Sequence, residues 1–260
     1  MFLVKLGGSI ITDKAKKYTF KTDIMDNLSK QIQQSKKQII LVHGAGSFGH
    51  ILAKQYNLQQ GFKENKQLIG FSETHAKVQQ LNSLVLDSLH HHNIAAVSLP
   101  PHAFLTLDNH QPHQINYTFF TDYLQKGFTP VTFGDVVLDK TLCFSICSGD
   151  LLMLLLAKQF KPEKVIFVLD EDGIYTENPK QNPQATLIKQ ATLKQLEYLS
   201  TNADAHADVT KGMQGKIETI KHIATLGIDT LVVNGNINNR LGDILNEKKT
   251  ISTHVYGERQ

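Results

Sequence analysis

Residues 38–50 read QIILVHGAGSFGH, and this stretch decides the fold. Positions 38–42 form a short, almost wholly apolar run, the pattern of a strand buried on both faces. Gly44, Gly46 and Gly49 follow, and a helix is predicted to run on through about residue 55. A strand that enters a glycine turn and leaves as a helix outlines an anion site. Glycines let the backbone come close, and the N–H groups of the first helical turn point at the ligand. The spacing formally matches G-x-G-x-x-G, with Glu64 as a downstream acid, so a dinucleotide site is one candidate. Against it, the loop follows the second strand rather than the first, and His50 comes immediately after the last glycine. Anion capture by the backbone is common to both readings.

Upstream, residues 2–6 are apolar apart from Lys5 and run into Gly7-Gly8-Ser9, a first strand and glycine loop. Residues 17–37 carry Ile24, Leu28 and Ile32 at helical spacing, which predicts an amphipathic helix. Downstream, Val78, Leu81, Leu84, Val85 and Leu89 predict a long helix over 68–90. Further strands are expected at 95–99, 129–133, 164–169, 230–233 and 251–256, and helices at 117–126, 151–159 and 212–226. Residues 104–118 read as a hairpin or flap and 136–145 as a second hairpin. Ser148 or Asp150 is available to cap the helix that follows. This alternation predicts an α/β fold with a mostly parallel sheet covered on both faces. Ligands then bind at the carboxyl ends of the strands, where the glycine loops fall.

The composition narrows the classes. With 260 residues the chain suits one large α/β domain, and a formal net charge of +3 from scattered lysines gives no footprint for nucleic acid. Cys143 and Cys147 have no second pair, which excludes a disulfide framework and argues against a zinc site. Both read as buried thiols, and a reduced cytoplasmic setting is expected. The opening MFLVKLGGSI has no secretory pattern, and the longest apolar run, 151–157, falls far short of the roughly 20 residues of a membrane span.

Three more features carry chemistry. Lys5 lies within a buried strand, where a lysine is costly unless paired; at the carboxyl end it meets an anion, whereas at a sheet edge it would snorkel to solvent. Asp170-x-Asp172-Gly173, with Tyr175 and Asn178-Pro179, holds a metal, orders a loop, or is an ordinary Asp-Gly turn. Residues 208–216 read DVTKGMQGK, which puts Lys216 at a helix start behind Gly212 and Gly215, suited to phosphate. No P-loop and no protein-kinase signature occurs. His90–His92 read as an exposed helix end, and His75, His102, His110, His113, His206, His222 and His254 lack ligand spacing, so no protein metal site is expected.

Taken together, these loops resemble the amino-acid kinase superfamily from Val4 to about Gly242. The run from Val42 to His50 is similar to the isopentenyl phosphate kinase branch, His50 being its distinguishing residue. Lys5-Leu6-Gly7-Gly8-Ser9, Ile11-Thr12-Asp13-Lys14 and Ser148-Gly149-Asp150 agree, as do Asp172-Gly173-Ile174-Tyr175, Asp208-Val209-Thr210 and Gly212-Met213-x-Gly215-Lys216. The resemblance implies an αβα sandwich with an acceptor lobe over about 1–147 and an ATP lobe over about 148–260. It implies a homodimer that uses ATP and Mg²⁺ to phosphorylate isopentenyl phosphate. It gives Lys5, Lys14 and Lys216 contact with the transferring phosphates, with Asp150 orienting the lysines. The acceptor phosphate falls to His50, with Gly7, Gly8, Ala45, Gly46, Gly49 and Gly149 around it. The prenyl tail falls to Phe71, Thr74 and Ile146. The nucleotide falls to Gly8, Ser9, Asp170, Asp172, Gly173, Tyr175, Met213 and Gly215, besides Lys5 and Lys216. Three departures bear on the ATP side. Lys211 stands where the family usually has glycine, Leu169 replaces a common threonine, and Lys249-Thr250 stands for a Gly-Thr pair. The alternatives are a fosfomycin-type phosphonate kinase, a kinase of another small monophosphate, a non-catalytic nucleotide binder on the same fold, and an NAD-binding oxidoreductase.

Overall fold

A computed structural model describes residues 1–13, 15–202 and 211–258, apart from the side chains of 198–202, 211 and 212. Strand β1 (Phe2–Leu6) leads through a single turn of helix, α1 (Gly8–Ile11), to α2 (Thr22–Ser35). Then come β2 (Ile39–His43), α3 (Gly46–Gln55), the long α4 (Lys66–His91) and β3 (Ala96–Ser98). A hairpin, β4 (Leu105–Asp108) and β5 (Gln111–Ile115), precedes α5 (Thr118–Gln125) and β6 (Thr129–Phe133). A second hairpin, β7 (Asp135–Asp139) and β8 (Cys143–Cys147), leads into α6 (Gly149–Phe160) and β9 (Lys164–Leu169). The chain continues with β10 (Gln190–Ala191), α7 (Leu193–Asn202), α8 (Lys211–Thr225), β11 (Thr230–Asn234), α9 (Arg240–Leu245) and β12 (Thr253–Val255).

The main sheet has the order β10-β12-β11-β9-β1-β2-β6-β3. Only the β11–β12 pair is antiparallel; the rest run parallel. Central β1 therefore has β2, β6 and β3 on one side and β9, β11, β12 and β10 on the other. Side chains alternate across a strand, and the two faces build two cores. Phe2, Val4 and Leu6 pack with residues of α2, α4 and α9, including Leu28, Leu81 and Ile244. Leu3 packs on the opposite face with residues of α5, α6 and α8, including Phe120, Leu152 and Ile220. The result is the expected three-layer αβα sandwich. The two-residue period puts Lys5 on the Leu3 face, toward α6.

The hairpins at 104–118 and 136–145 are present, but they join in a second, four-stranded sheet, β5-β4-β7-β8. Asp139 holds it. Its carboxylate accepts from the N–H groups of Asn109, His110, Thr141 and Leu142 and from the Ser145 hydroxyl. Burial pushes this carboxyl upward, yet His110, Leu142, Ser145 and Asn109 prevail and bring its pKa down to about 2.

Some expectations need correction. Cys147 is buried but Cys143 is exposed, because it opens β8 directly after the tight turn, at φ +68. Helix α2 begins at Thr22 rather than 17, since the chain before it turns back to bridge Thr12 and Phe20. Helices α1, α7 and α9 and strand β10 were not anticipated. Their lengths, from two residues for β10 to ten for α7, give periodicity little to work on. Among the described residues no helix is long and apolar enough to cross a membrane.

Candidate active site

A glycine follows each of β1, β2, β6 and β11, and each hydrogen-bonds to the neighbouring strand. Gly7 N–H donates to Val168 O, Gly44 N–H to Leu6 O, Gly134 N–H to His43 O and Gly235 N–H to Leu169 O, all at 2.9–3.0 Å. The turns therefore form one continuous rim along the carboxyl edge of β11, β9, β1, β2 and β6.

Two of the turns interlock. A side chain on Gly8 would meet the Gly46 backbone at 2.7 Å, and one on Gly44 would meet Gly8 N at 2.6 Å. Gly46 also sits at φ +50, a conformation that disfavours any side chain. Thr12 fastens the pair, donating from Oγ1 to Gly8 O at 2.7 Å and accepting from Ser47 N–H at 3.0 Å. Gly44 thus faces the first glycine loop rather than an open cleft. Glu64, the acid a dinucleotide site would need, is exposed and paired with Lys66 at 2.8 Å. The oxidoreductase alternative loses its two structural supports.

Lys5 is buried and does not snorkel, because β1 is the central strand and not an edge. Its Nζ lies 2.5 Å from Asp150 Oδ1 and 5.7 Å from the Phe167 ring centroid. Ser148 is the cap of α6, accepting from Leu151 N–H at 3.1 Å, which leaves Asp150 in the first turn turned to the lysine. Lys216 lies in the second turn of α8, which already begins at Lys211, and not at the helix start as expected; it places its Nζ 4.0 Å from the other oxygen, Oδ2. One aspartate therefore gathers two ammonium groups from strand and helix. Burial lowers the Lys5 pKa to about 8; Asp150 pulls it up and Lys216 pushes it further down. Gly149 packs against Lys5, its missing Cβ falling 3.1 Å from Cε.

The acidic turn after β9 is built as an ordered loop. Asp170 accepts from Ser9 Oγ at 2.8 Å and from Lys180 at 3.1 Å, and Lys180 also pairs with Glu171 at 2.8 Å. Asp172 accepts from Asn234 at 2.9 Å and Arg240 at 2.5 Å. Burial pushes the Asp172 carboxyl upward, but these two partners hold it below its ordinary value. Tyr175, on the same loop, is pushed upward by burial and then by Asp172 and Glu171. Met213 packs on the α6 and α8 core, and a side chain on Gly215 would meet nothing within 4 Å. Leu169, the departure from threonine, is a buried core residue.

On the opposite side of β1, His50 is exposed on α3, one turn beyond Gly46 and so on the same helix face. Ala53 follows one turn later and belongs to an apolar cluster with Leu58, Val136 and Phe144, against which Phe71 and Ile146 pack. Thr74 is buried, and its Oγ1 has no hydrogen-bond partner among the described residues. Lys14 and the 208–210 motif lie outside the described residues, and so does the Lys211 side chain.

Thr12, Lys180 and Arg240 have no place in the sequence reading beyond Thr12's appearance in a quoted motif. Arg240 left a usable signal, being one of two arginines in a lysine-rich chain. A planar fork is chosen where a carboxylate must be held in one orientation. Lys180 left none.

Comparison with known proteins bears on the whole arrangement. The amino acid kinase family profile matches residues 1–234. The isopentenyl phosphate kinase of Methanothermobacter thermautotrophicus is 34% identical over 267 residues, which cover 99% of this chain and 100% of that protein. The isopentenyl phosphate kinase of Thermoplasma acidophilum is also 34% identical, across 94% of this chain and 96% of its own. An X-ray structure of isopentenyl phosphate kinase superposes with a TM-score of 0.87 at 32% identity, covering 98% of this chain and 99% of the other. The profile runs from β1 through β11 and so takes in the interlocked turns, the paired lysines and the acidic loop. The likeness reaches the site itself, and the chain belongs to the amino acid kinase family.

Proposed function

We propose that this protein transfers the γ-phosphoryl group of ATP to isopentenyl phosphate, giving isopentenyl diphosphate and ADP. The observation that carries the reading is the convergence of Lys5 and Lys216 on Asp150, beside two interlocked glycine turns. An apolar cluster one helical turn past His50 supports the choice of acceptor. A phosphate head at the start of α3 and a short hydrocarbon tail along Phe71 and Ile146 fit that spacing.

A phosphate monoester has a second pKa of about 6, so near neutral pH the acceptor is already a dianion and needs no general base. One of its oxygens attacks the γ-phosphorus as the bond to the bridging oxygen breaks, and ADP leaves. The barrier is repulsion between anions, which fixed cations and oriented N–H groups lower. Lys5 and Lys216 supply charge, held apart and aimed by Asp150; Lys14 completes the set in this reading. His50 donates a hydrogen bond to the acceptor phosphate. The carboxylates at the site are engaged with lysine, arginine or hydroxyl partners, so Mg²⁺ fits here as part of MgATP, held mainly by the nucleotide's phosphates. Gly8, Ser9, Asp170, Asp172, Gly173, Tyr175, Met213 and Gly215 line the nucleotide. In this reading residues 1–147 hold the acceptor and 148–260 hold ATP, on either side of β1. A cytoplasmic homodimer completes it, testable by sedimentation.

The test is ADP release with MgATP and a panel of isopentenyl phosphate, dimethylallyl phosphate, fosfomycin, glutamate and UMP. Turnover should peak with isopentenyl phosphate. The His50→Ala variant should bind ATP as before and lose most turnover; wild-type turnover in that variant refutes the role of His50. Turnover peaking with fosfomycin or UMP reassigns the acceptor.

A further inference from the structure

His75, His102 and Asp135 converge away from the paired lysines. One ligand atom from each falls within 4.8 Å of the others, and among the described residues no other group of three His, Cys, Asp or Glu side chains does so. They come from three separate elements: α4, the short turn at Pro101–Ala103 after β3, and the first residue of β7. His75 Nδ1 lies 2.7 Å from Asp135 Oδ2, and the two imidazole rings meet edge to face at 4.4 Å. Asp135 is buried, and its Oδ1 accepts from Val136 N–H at 2.8 Å, which orients Oδ2 toward the rings. The outer nitrogen of His75 lies 3.4 Å from Gln79 Nε2, one turn along α4; with Nδ1 on a metal that nitrogen carries the proton, and turning the amide end for end presents Oε1 to accept it. Outer partners of this kind fix the orientation of metal ligands.

We propose that His75, His102 and Asp135 bind one divalent transition-metal cation of the zinc type, separate from the Mg²⁺ that accompanies ATP. Two imidazoles and one carboxylate suit zinc, nickel or copper, whereas magnesium favours an all-oxygen shell. Zinc bonds nitrogen and oxygen at about 2.0–2.2 Å, which sets neighbouring ligand atoms roughly 3.3 Å apart, so the His102 nitrogen must move inward by roughly 1 Å while the 2.7 Å His75–Asp135 pair opens slightly. His102 is exposed on a three-residue turn and is free to make that movement. Three protein ligands leave a further position for water or a small ligand. The linear sequence hides the set because its members share no helix or strand and follow no ligand spacing.

The place of the site suggests its consequence. His75 follows Thr74 and lies one turn beyond Phe71, and Asp135 precedes Val136, which shares the apolar cluster with Phe71. A cation here fastens α4 to β7, the two walls of the acceptor pocket, so occupancy is expected to change the KM for the acceptor and leave that for ATP alone. This kinetic consequence rests on the proposed function; the binding itself does not.

The test uses tag-free, chelator-treated full-length protein titrated with Co²⁺, followed by its visible d–d absorption. The band should saturate at one Co²⁺ per chain, and Zn²⁺ should displace it. His102→Ala, an exposed position, should weaken binding by more than the roughly 10- to 100-fold seen when only an outer partner is lost. His91→Ala, in the exposed histidine run at the end of α4, should leave the titration unchanged. A wild-type protein without a saturable band, binding that survives His102→Ala, or binding abolished by His91→Ala each overturns the proposal. A change in acceptor KM that fails to appear while the band forms normally counts against the pocket assignment alone.

Discussion

Replacing Lys5 by methionine should make the protein more stable and nearly inactive. Lys5 would carry a pKa of 10.5 in the unfolded chain but about 8 in the folded one, with burial as the largest cause. At 1.36 kcal/mol for each tenfold change in proton affinity, holding this side chain charged inside the sheet costs about 3 kcal/mol. The sign follows from proton binding. Between pH 8 and 10.5 the unfolded chain holds more protons than the folded one, so stability rises with pH across that window. Below about 8 the cost is present in full. Methionine replaces the lysine stem and drops only the terminal ammonium, carries no charge, and can lie against the Phe167 ring that Lys5 now faces at 5.7 Å. Asp150 stays tolerable without Lys5, since Lys216 is 4.0 Å from it and its side chain is 22% exposed. Urea unfolding at pH 7 should therefore show Lys5→Met gaining about 3 kcal/mol, and the gain should shrink toward zero as pH approaches 10.5. Turnover should fall by roughly 10²- to 10³-fold, the usual loss of one preorganised charge-stabilising group. A variant less stable than wild type at pH 7, or a gain that ignores pH, refutes the reasoning.

Other expectations follow from the same geometry. If transfer needs Lys5 charged, wild-type kcat should be level below pH 8 and fall about tenfold per unit above it; Asp150→Asn, which removes the partner raising the lysine, should move that limb to lower pH. Arg240→Ala releases Asp172 from a charged hydrogen bond worth about 1.5 kcal/mol, so the KM for ATP should rise about tenfold with a smaller change in kcat. Asp139→Asn tests the small sheet. The native carboxyl lies near 2 against 3.8 in the free side chain, which contributes about 2 kcal/mol above pH 4 and is lost as pH falls toward 2. The variant should be less stable by about that amount at pH 7 and should lose the acid-dependent part of unfolding between pH 4 and 2. Intact acid dependence in the variant would show that the stabilisation lies elsewhere.

The boundaries of most long elements were legible in the sequence, as were the positions of the glycine turns. Both are written locally, one in a period of two or 3.6 residues and the other in backbone freedom at a few positions. Lys5 stood out for a local reason too, as a charge in an apolar strand. Its partner did not. Asp150 lies 145 positions away and was equally available as a helix cap until Ser148 proved to hold that place. The joining of two hairpins into one sheet through Leu107 and Asp139, the clasp of Thr12 across two loops, and the meeting of Asp172 with Arg240 were likewise decided only in three dimensions. Each depends on which strands lie side by side and which helix faces them. The pattern of apolar residues says that a strand is buried, whereas the order of strands is set by the packing of the whole chain. The sequence by itself therefore determined an α/β protein that captures anions at the ends of its strands. Only the tertiary structure decided which charges meet there, because a salt bridge is a property of distance and distance along the chain does not measure it.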